Sequence, residues 1–178
     1  MNLKTTRYNF LLQQYKNNVY SYAMYMLRNK MDAEDASQEV MIRIWDNIDK
    51  FSMLSAKAWI MRTTHNHCID VLRKRKSTTF KEYGIGENFE ENFEDKSEKN
   101  NPYLKTHVKM MTSKVKEVIQ TLPEQLKSVF VLYEIEGLKY KEISKTLDMP
   151  INTVKVYLLR ARKKLQEELR NYETQEVL

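Results

Sequence analysis

Apolar residues recur in this chain at steps of three and four, and very little interrupts them. Leu11, Tyr15, Val19, Tyr22, Ala23, Met26 and Leu27 form the first such stripe, the spacing of a helix with one buried side. The stripe stops near Arg28, Asn29 and Lys30. Asp32 then reads as an N-cap, with Glu34 and Asp35 in the first turn, where acids suit the helix dipole. Ala36, Val40 and Ile44 are the inward positions of this second helix, which runs to about Asn47. A loop spans 48–55. A third helix runs from about residue 56 to 76, with Ile60, Thr64, Cys68 and Leu72 four apart and four cations, Arg73 to Lys76, at its end. The 178 residues include only three Gly and three Pro, and no useful run alternates as a strand would, so the chain must fold as helices.

The periodicity lapses between about 77 and 103, which holds Gly84, Gly86, Pro102 and a Glu/Asn/Lys-rich run. It resumes from about Lys105 to Leu122. Pro123 and Glu124 open the next helix; Leu126, Val129, Phe130, Leu132 and Tyr133 line it, and Gly137 caps it. A short helix from Tyr140 to Thr146, a turn at Asp148, Met149 and Pro150, and a helix from Ile151 to about Leu169 follow. The expectation is an all-α fold of two small bundles, about three and four helices, joined by a flexible linker: residues 1–76, 77–108 and 109–178. Phe80, Tyr83, Phe89 and Phe93 give the linker more aromatics than a tether needs, which suits a segment that threads along a partner.

Charge is divided along the same lines. Residues 1–76 carry 13 Lys/Arg against 7 Asp/Glu, residues 77–108 carry 4 against 7, and residues 109–178 carry 13 against 10. Two basic blocks flank an acidic spacer, so each block suits a polyanion and the spacer does not. The single Cys68 excludes an internal disulfide framework. The N-terminus lacks the apolar core of a signal peptide, and no apolar run approaches the ~20 residues of a membrane span. These features suit a soluble cytoplasmic protein.

The residues from 140 to 164 have helix-turn-helix spacing. Val154, Leu158, Ala161 and Leu165 form the inward stripe of the second helix, leaving Asn152, Thr153, Lys155, Val156, Leu159, Arg160 and Lys163 outward. Asn, Thr and Lys near the start of such a helix reach base edges, and later cations hold phosphates. An amphipathic hairpin with a solvated basic face shares the stripe; five cations and no acid between Lys155 and Lys164 favour DNA. The third helix mixes Trp59, Arg62, His65, Asn66, Arg73 and Lys74, a combination suited to melted DNA, where bases stack on rings and phosphates need cations. Taken alone, Trp59 reads as core. His65, His67 and Cys68, at i, i+2 and i+3, do not converge on a metal, and no second ligand cluster accompanies them. No phosphate loop, nucleophile elbow or paired catalytic carboxylates occur, so no catalysis, cofactor or small-molecule substrate is implied. The second helix presents Asp35, Gln38, Glu39, Arg43 and Asp46 opposite its apolar side, as solvated surface or as a docking face.

These segments, in this order, resemble a bacterial sigma-70 family factor of the extracytoplasmic-function (ECF) group. DAEDASQEVMIRIW is similar to the segment that docks on the β′ clamp helices of RNA polymerase. AWIMRTTHNHCIDVLRKRK is similar to the helix that recognises and opens the promoter −10 element, and LPEQLKSVFVLYEIEGLKYKEISKTLDMPINTVKVYLLRARKKLQEEL to the domain that reads the −35 element. The resemblance implies polymerase docking by Asp35, Gln38, Glu39 and Arg43. It implies −10 contacts by Trp59, Arg62, Asn66, Arg73 and Lys74, with a flipped base captured by the loop 49–55. It implies −35 contacts by Asn152, Thr153, Lys155, Val156 and Arg160. The implied partners are core RNA polymerase (β′ and β), promoter DNA and an anti-sigma factor, which could hold the protein at the inner membrane by covering apolar surfaces left open between the bundles. In the helix-turn-helix, Asp148 stands in place of a frequent Gly, Lys139 in place of an N-capping Ser, and Tyr157 where a basic residue is common. The rival reading is a free-standing LuxR-type regulator that uses the C-terminal helices alone.

Overall fold

The computed structural model describes residues 2–79 and 102–176; the linker aromatics named above lie outside the described residues. Among the described residues there are seven α-helices and no strand: α1 (Leu3–Leu27), α2 (Lys30–Asn47), α3 (Ala56–Thr79), α4 (Pro102–Gln120), α5 (Glu124–Phe130), α6 (Tyr140–Leu147) and α7 (Ile151–Glu176). Three and four helices fall in the two halves, as the periodicity predicts. Pro102 occupies the first turn of α4, where a missing N–H costs nothing.

The start of α2 corrects the expected cap. Arg28 takes a left-handed backbone (φ 56°) and closes α1 through its N–H to Met24 O, so the chain reverses one turn earlier than Asp32. The Asn29 side chain accepts from Asp32 N–H at 3.0 Å and is the actual N-cap. Asp32 instead meets Arg75, which also donates to Leu27 O at 2.8 Å and so ties the end of α3 to the α1–α2 corner. A second departure follows α5. Residues Val131–Ile135 form a π-helical turn, with Glu136 N–H reaching Val131 O at 2.9 Å. Gly137, at φ 66°, then reverses the chain, and a Cβ there would meet nothing within 4 Å. The residue is glycine for its backbone, not for space.

The first bundle has its own core where α1, α2 and α3 meet: Leu11, Val19, Val40, Ile44, Ile48, Phe51 and Ile60. The C-terminal end of α1 differs. Tyr22, Ala23, Met24, Tyr25, Met26 and Leu27 are all buried. Six consecutive residues cover every side of a helix, so the one-sided stripe does not extend to this end. Its second side is covered by the other half of the chain: these residues share one cluster with Val118, Leu122, Val129, Leu132, Leu138, Ile143, Val154 and Leu158. The apolar surfaces expected to stand open between the bundles are therefore packed against each other. Helical pattern alone could not reveal this, because the partner surface is about a hundred residues away in the chain.

Candidate nucleic-acid and docking surfaces

On α2, the buried stripe Ala36, Val40 and Ile44 turns the opposite side to solvent. Asp35 and Gln38 are exposed there, and Glu39 and Arg43 pair at 2.9 Å in the i, i+4 geometry. At 100° per residue Asp35, Gln38, Glu39 and Asp46 share one face, with Ile42 at its middle. Ile42 is 56% exposed. This apolar centre within a polar rim was not singled out by sequence, although an Ile two residues off the buried stripe was a readable signal.

Trp59, Arg62, Asn66 and Arg73 fall on one side of α3 by the same arithmetic, and Lys74 lies round the flank. Trp59 is half-buried and stacks on Phe51 (centroids 4.5 Å apart, planes at 21°). It belongs to the edge of the first core, as its isolated reading suggests, and supports the loop that precedes it. Arg62, Asn66, Arg73 and Lys74 are exposed. Arg73 lies 3.7 Å from Asp70 on its own helix. Arg62 reaches across to the other half, 3.5 Å from Lys145 O and 3.9 Å from the Asp148 carboxylate.

His65 points away from this face. Its Nδ1 is 2.8 Å from the Tyr22 hydroxyl; burial, with a smaller push from Arg73, lowers its pKa to about 4. The ring is therefore neutral near pH 7 and shares one hydrogen bond with the hydroxyl, whose own pKa burial raises. Cys68 is buried, and burial pushes its thiol up to about 12. Among the described residues no three His, Cys, Asp or Glu side chains gather to hold a metal ion.

In the helix-turn-helix, Val154, Leu158, Ala161 and Leu165 on α7 are buried, the inward set that the pattern predicts, and Ile143 on α6 is buried with them. Asp148 makes the turn in the left-handed region (φ 52°), with its N–H on Ser144 O. The Ser144 hydroxyl donates to Met149 O at 2.6 Å. Lys139 supplies no side-chain cap, but Glu142 reaches back to its N–H at 2.7 Å, half of a capping box. Asn152, Lys155, Val156 and Arg160 are exposed and Thr153 is half-buried. Tyr157 is partly buried against the shared core, so this position packs. Arg162 turns back onto Glu134 at 2.6 Å and over the Tyr133 ring, which leaves the more N-terminal cations to the open face.

Comparisons with known proteins agree with this layout. The family model for sigma-70 region 2 matches residues 11–78, and that for sigma-70 region 4 matches residues 112–165. A curated relative, the ECF RNA polymerase sigma factor SigE of Mycolicibacterium smegmatis, is 27% identical over 93% of this chain, which spans 62% of that protein's length. The ECF sigma factor SigW of Bacillus subtilis is 29% identical over 88% of this chain and 86% of its own. Among solved structures, the sigma factor RpoE in complex with the anti-sigma factor NepR from Bartonella quintana superposes with a TM-score of 0.75 at 21% identity, covering 89% of this chain and 94% of that one. CnrH in complex with the cytosolic domain of CnrY gives 0.65 at 18% identity, covering 92% and 88%. With a sigma-70 family model matching on each half, the chain belongs to the sigma-70 family, and across both halves it is similar to factors of the extracytoplasmic-function group.

Proposed function

We propose that this protein is a transcription initiation factor that binds core RNA polymerase, directs it to specific −35 and −10 elements and helps to open the duplex. The observation that carries this is the pairing of a region 2 match with a region 4 match on one chain. A LuxR-type regulator would leave residues 11–78 without a task and is not favoured. The factor itself does no catalysis; phosphodiester chemistry stays with the polymerase.

In this reading residues 1–76 dock and melt, residues 77–108 link, and residues 109–178 read the −35 element. Asp35, Gln38, Glu39 and Arg43 rim the polymerase-docking face around the apolar Ile42. Arg62, Asn66, Arg73 and Lys74 hold the −10 strand, with Trp59 supporting the loop 49–55, where a base is captured. Asn152, Thr153, Lys155, Val156 and Arg160 meet the −35 duplex; the exposure of four of the five supports this. The protein acts in the cytoplasm, and an anti-sigma factor of the kind seen with its structural neighbours restrains it, in some settings from the inner membrane. Among the described residues no helix is long and apolar enough to cross a membrane.

The test is reconstitution. Core polymerase mixed with the protein yields transcripts from a defined set of promoters, and the double variant Gln38→Glu with Arg43→Glu abolishes them while leaving the far-ultraviolet spectrum unchanged. Undiminished promoter-specific transcription from that variant would remove the docking assignment. An absence of promoter-specific transcripts with the parent protein would remove the function.

A further inference from the structure

We propose that Arg7 is the positioning residue for the loop 49–55 and through it governs base selection at the −10 element. The proposal rests on the reading of that loop as the base-capturing segment. Arg7 lies ahead of the residues that the region 2 model matches, 11–78, and 41 to 44 residues from its acceptors.

One guanidinium nitrogen, Nη2, donates both to Ile48 O at 2.9 Å and to Phe51 O at 3.2 Å. The other, Nη1, is 3.7 Å from the Asp49 carboxylate. Ile48 caps the C-terminus of α2, so its carbonyl is one that the helix leaves unpaired. Phe51 is buried. A single planar cation on α1 therefore fixes the two carbonyls between which the chain leaves α2. Lys4 adds a second hold: its ammonium lies 3.9 Å from Asp49 and 4.7 Å above the Trp45 ring, which Tyr8 meets at 85°. The far end of the loop is fixed separately. The Phe51 ring stacks on Trp59, and Ser52 and Ser55 lock together through their hydroxyls at 3.0 Å and Ser55 N–H to Ser52 Oγ at 3.3 Å. What remains outward is the tip, Met53 and Leu54, the latter 101% exposed.

The division of labour follows from this geometry. The tip is free to meet an extruded base, while its register against α3 is set by Arg7 at one end and Trp59 at the other. A lysine retains charge near Asp49 but has only one nitrogen, so it cannot hold both carbonyls with one arm of a planar fork and face Asp49 with the other. If Arg7 only neutralised the α2 C-terminus, it would affect stability and nothing else.

The experiment measures transcription by holoenzyme on a promoter set with each −10 base substituted in turn and, as control, each −35 base. Arg7→Ala is expected to reduce discrimination at −10 positions about tenfold, the loss of one well-held base contact, with −35 preferences and core affinity as in the parent. Arg7→Lys, which retains charge and most of the volume, gives an intermediate loss and stands alone if the alanine variant does not fold. Parental −10 discrimination in Arg7→Lys and in a folded Arg7→Ala, with only the melting temperature lowered, overturns the proposal. Met53→Ala and Leu54→Ala separate the two levels. If they reduce −10 discrimination and the Arg7 variants do not, the positioning role is wrong; if they leave it intact, the reading of the loop itself fails.

Discussion

His65 sits among residues that the −10 reading uses, yet its chemistry is internal. The neutral ring shares a hydrogen bond with the Tyr22 hydroxyl at 2.8 Å, and a protonated ring would carry its charge in a largely buried site. The folded pKa, about 4, lies below the ordinary 6.5, so between those values the unfolded chain binds the extra proton. The contribution is whole above pH 6.5 and is lost as pH falls toward 4, on the order of 3 kcal/mol for a shift of this size. Thermal melts of the parent are expected to fall over that window relative to His65→Gln, which keeps an acceptor but does not titrate. Parallel melting curves for the two proteins would show that the ring carries no such linkage. Trp59 teaches the same lesson: neighbours along a helix stripe do not share a role, because the side facing Phe51 and the side facing solvent lie only one or two residues apart.

At the scale of elements, α7 is where sequence and structure coincide most closely. Steps of four, three and four name Val154, Leu158, Ala161 and Leu165, and all four are buried, because a long helix lying on a core has only one side to bury. The turn was equally legible, since Asp148 adopts the left-handed backbone that its short polar side chain tolerates. Three things were not legible. The cap of α2 moved to Asn29 because a non-glycine residue, Arg28, reverses the chain. The π-helical turn after α5 has no spacing signature. The Arg7 contacts span more than forty residues. The outward face of α7 yields a prediction that distinguishes readout from anchoring. If Lys155 reads a base, Lys155→Ala costs about 1–3 kcal/mol at one −35 position and relaxes preference there; if Arg160 holds a phosphate, Arg160→Ala weakens all −35 sequences alike and lowers the salt dependence by about one charge. Transcription from a −35 library at two salt concentrations measures both. Parental behaviour of both variants throughout would exclude this face from promoter binding.

For the molecule as a whole, the shared core has a consequence for promoter engagement. Elements named −35 and −10 are about 25 base pairs apart, or roughly 85 Å of duplex at 3.4 Å per pair. A packed unit of this length has a radius of gyration of about 16 Å, so the two faces cannot reach both elements while α3 lies against α6. On the proposed function, engaging the promoter requires the halves to part. Glu136 is only 6% exposed; its Oε2 accepts from Asn18 at 2.8 Å, and its Oε1 has no hydrogen-bond partner among the described residues. Burial raises its pKa, against the opposing pull of Asn18, Ser21 and Lys57. Thr146, 1% exposed, also leaves its hydroxyl unpaired among the described residues. An unpaired buried polar group costs about 1–3 kcal/mol, and for Glu136, which bonds Asn18 on α1, parting the halves would relieve that cost by admitting water. Labels at Asp70→Cys on α3 and Glu168→Cys on α7, in a Cys68→Ala background, report the separation. It is expected to lengthen by tens of ångströms from the free protein to the holoenzyme on promoter DNA. Glu136→Gln keeps an acceptor for Asn18 and cannot take on the charge that burial disfavours, so it is expected to shift the free protein further toward the closed form and reduce transcription at limiting core. A label distance that is the same in the free protein and in the promoter complex would mean that the packed arrangement is itself the one that works, and the 85 Å argument would then fail with it.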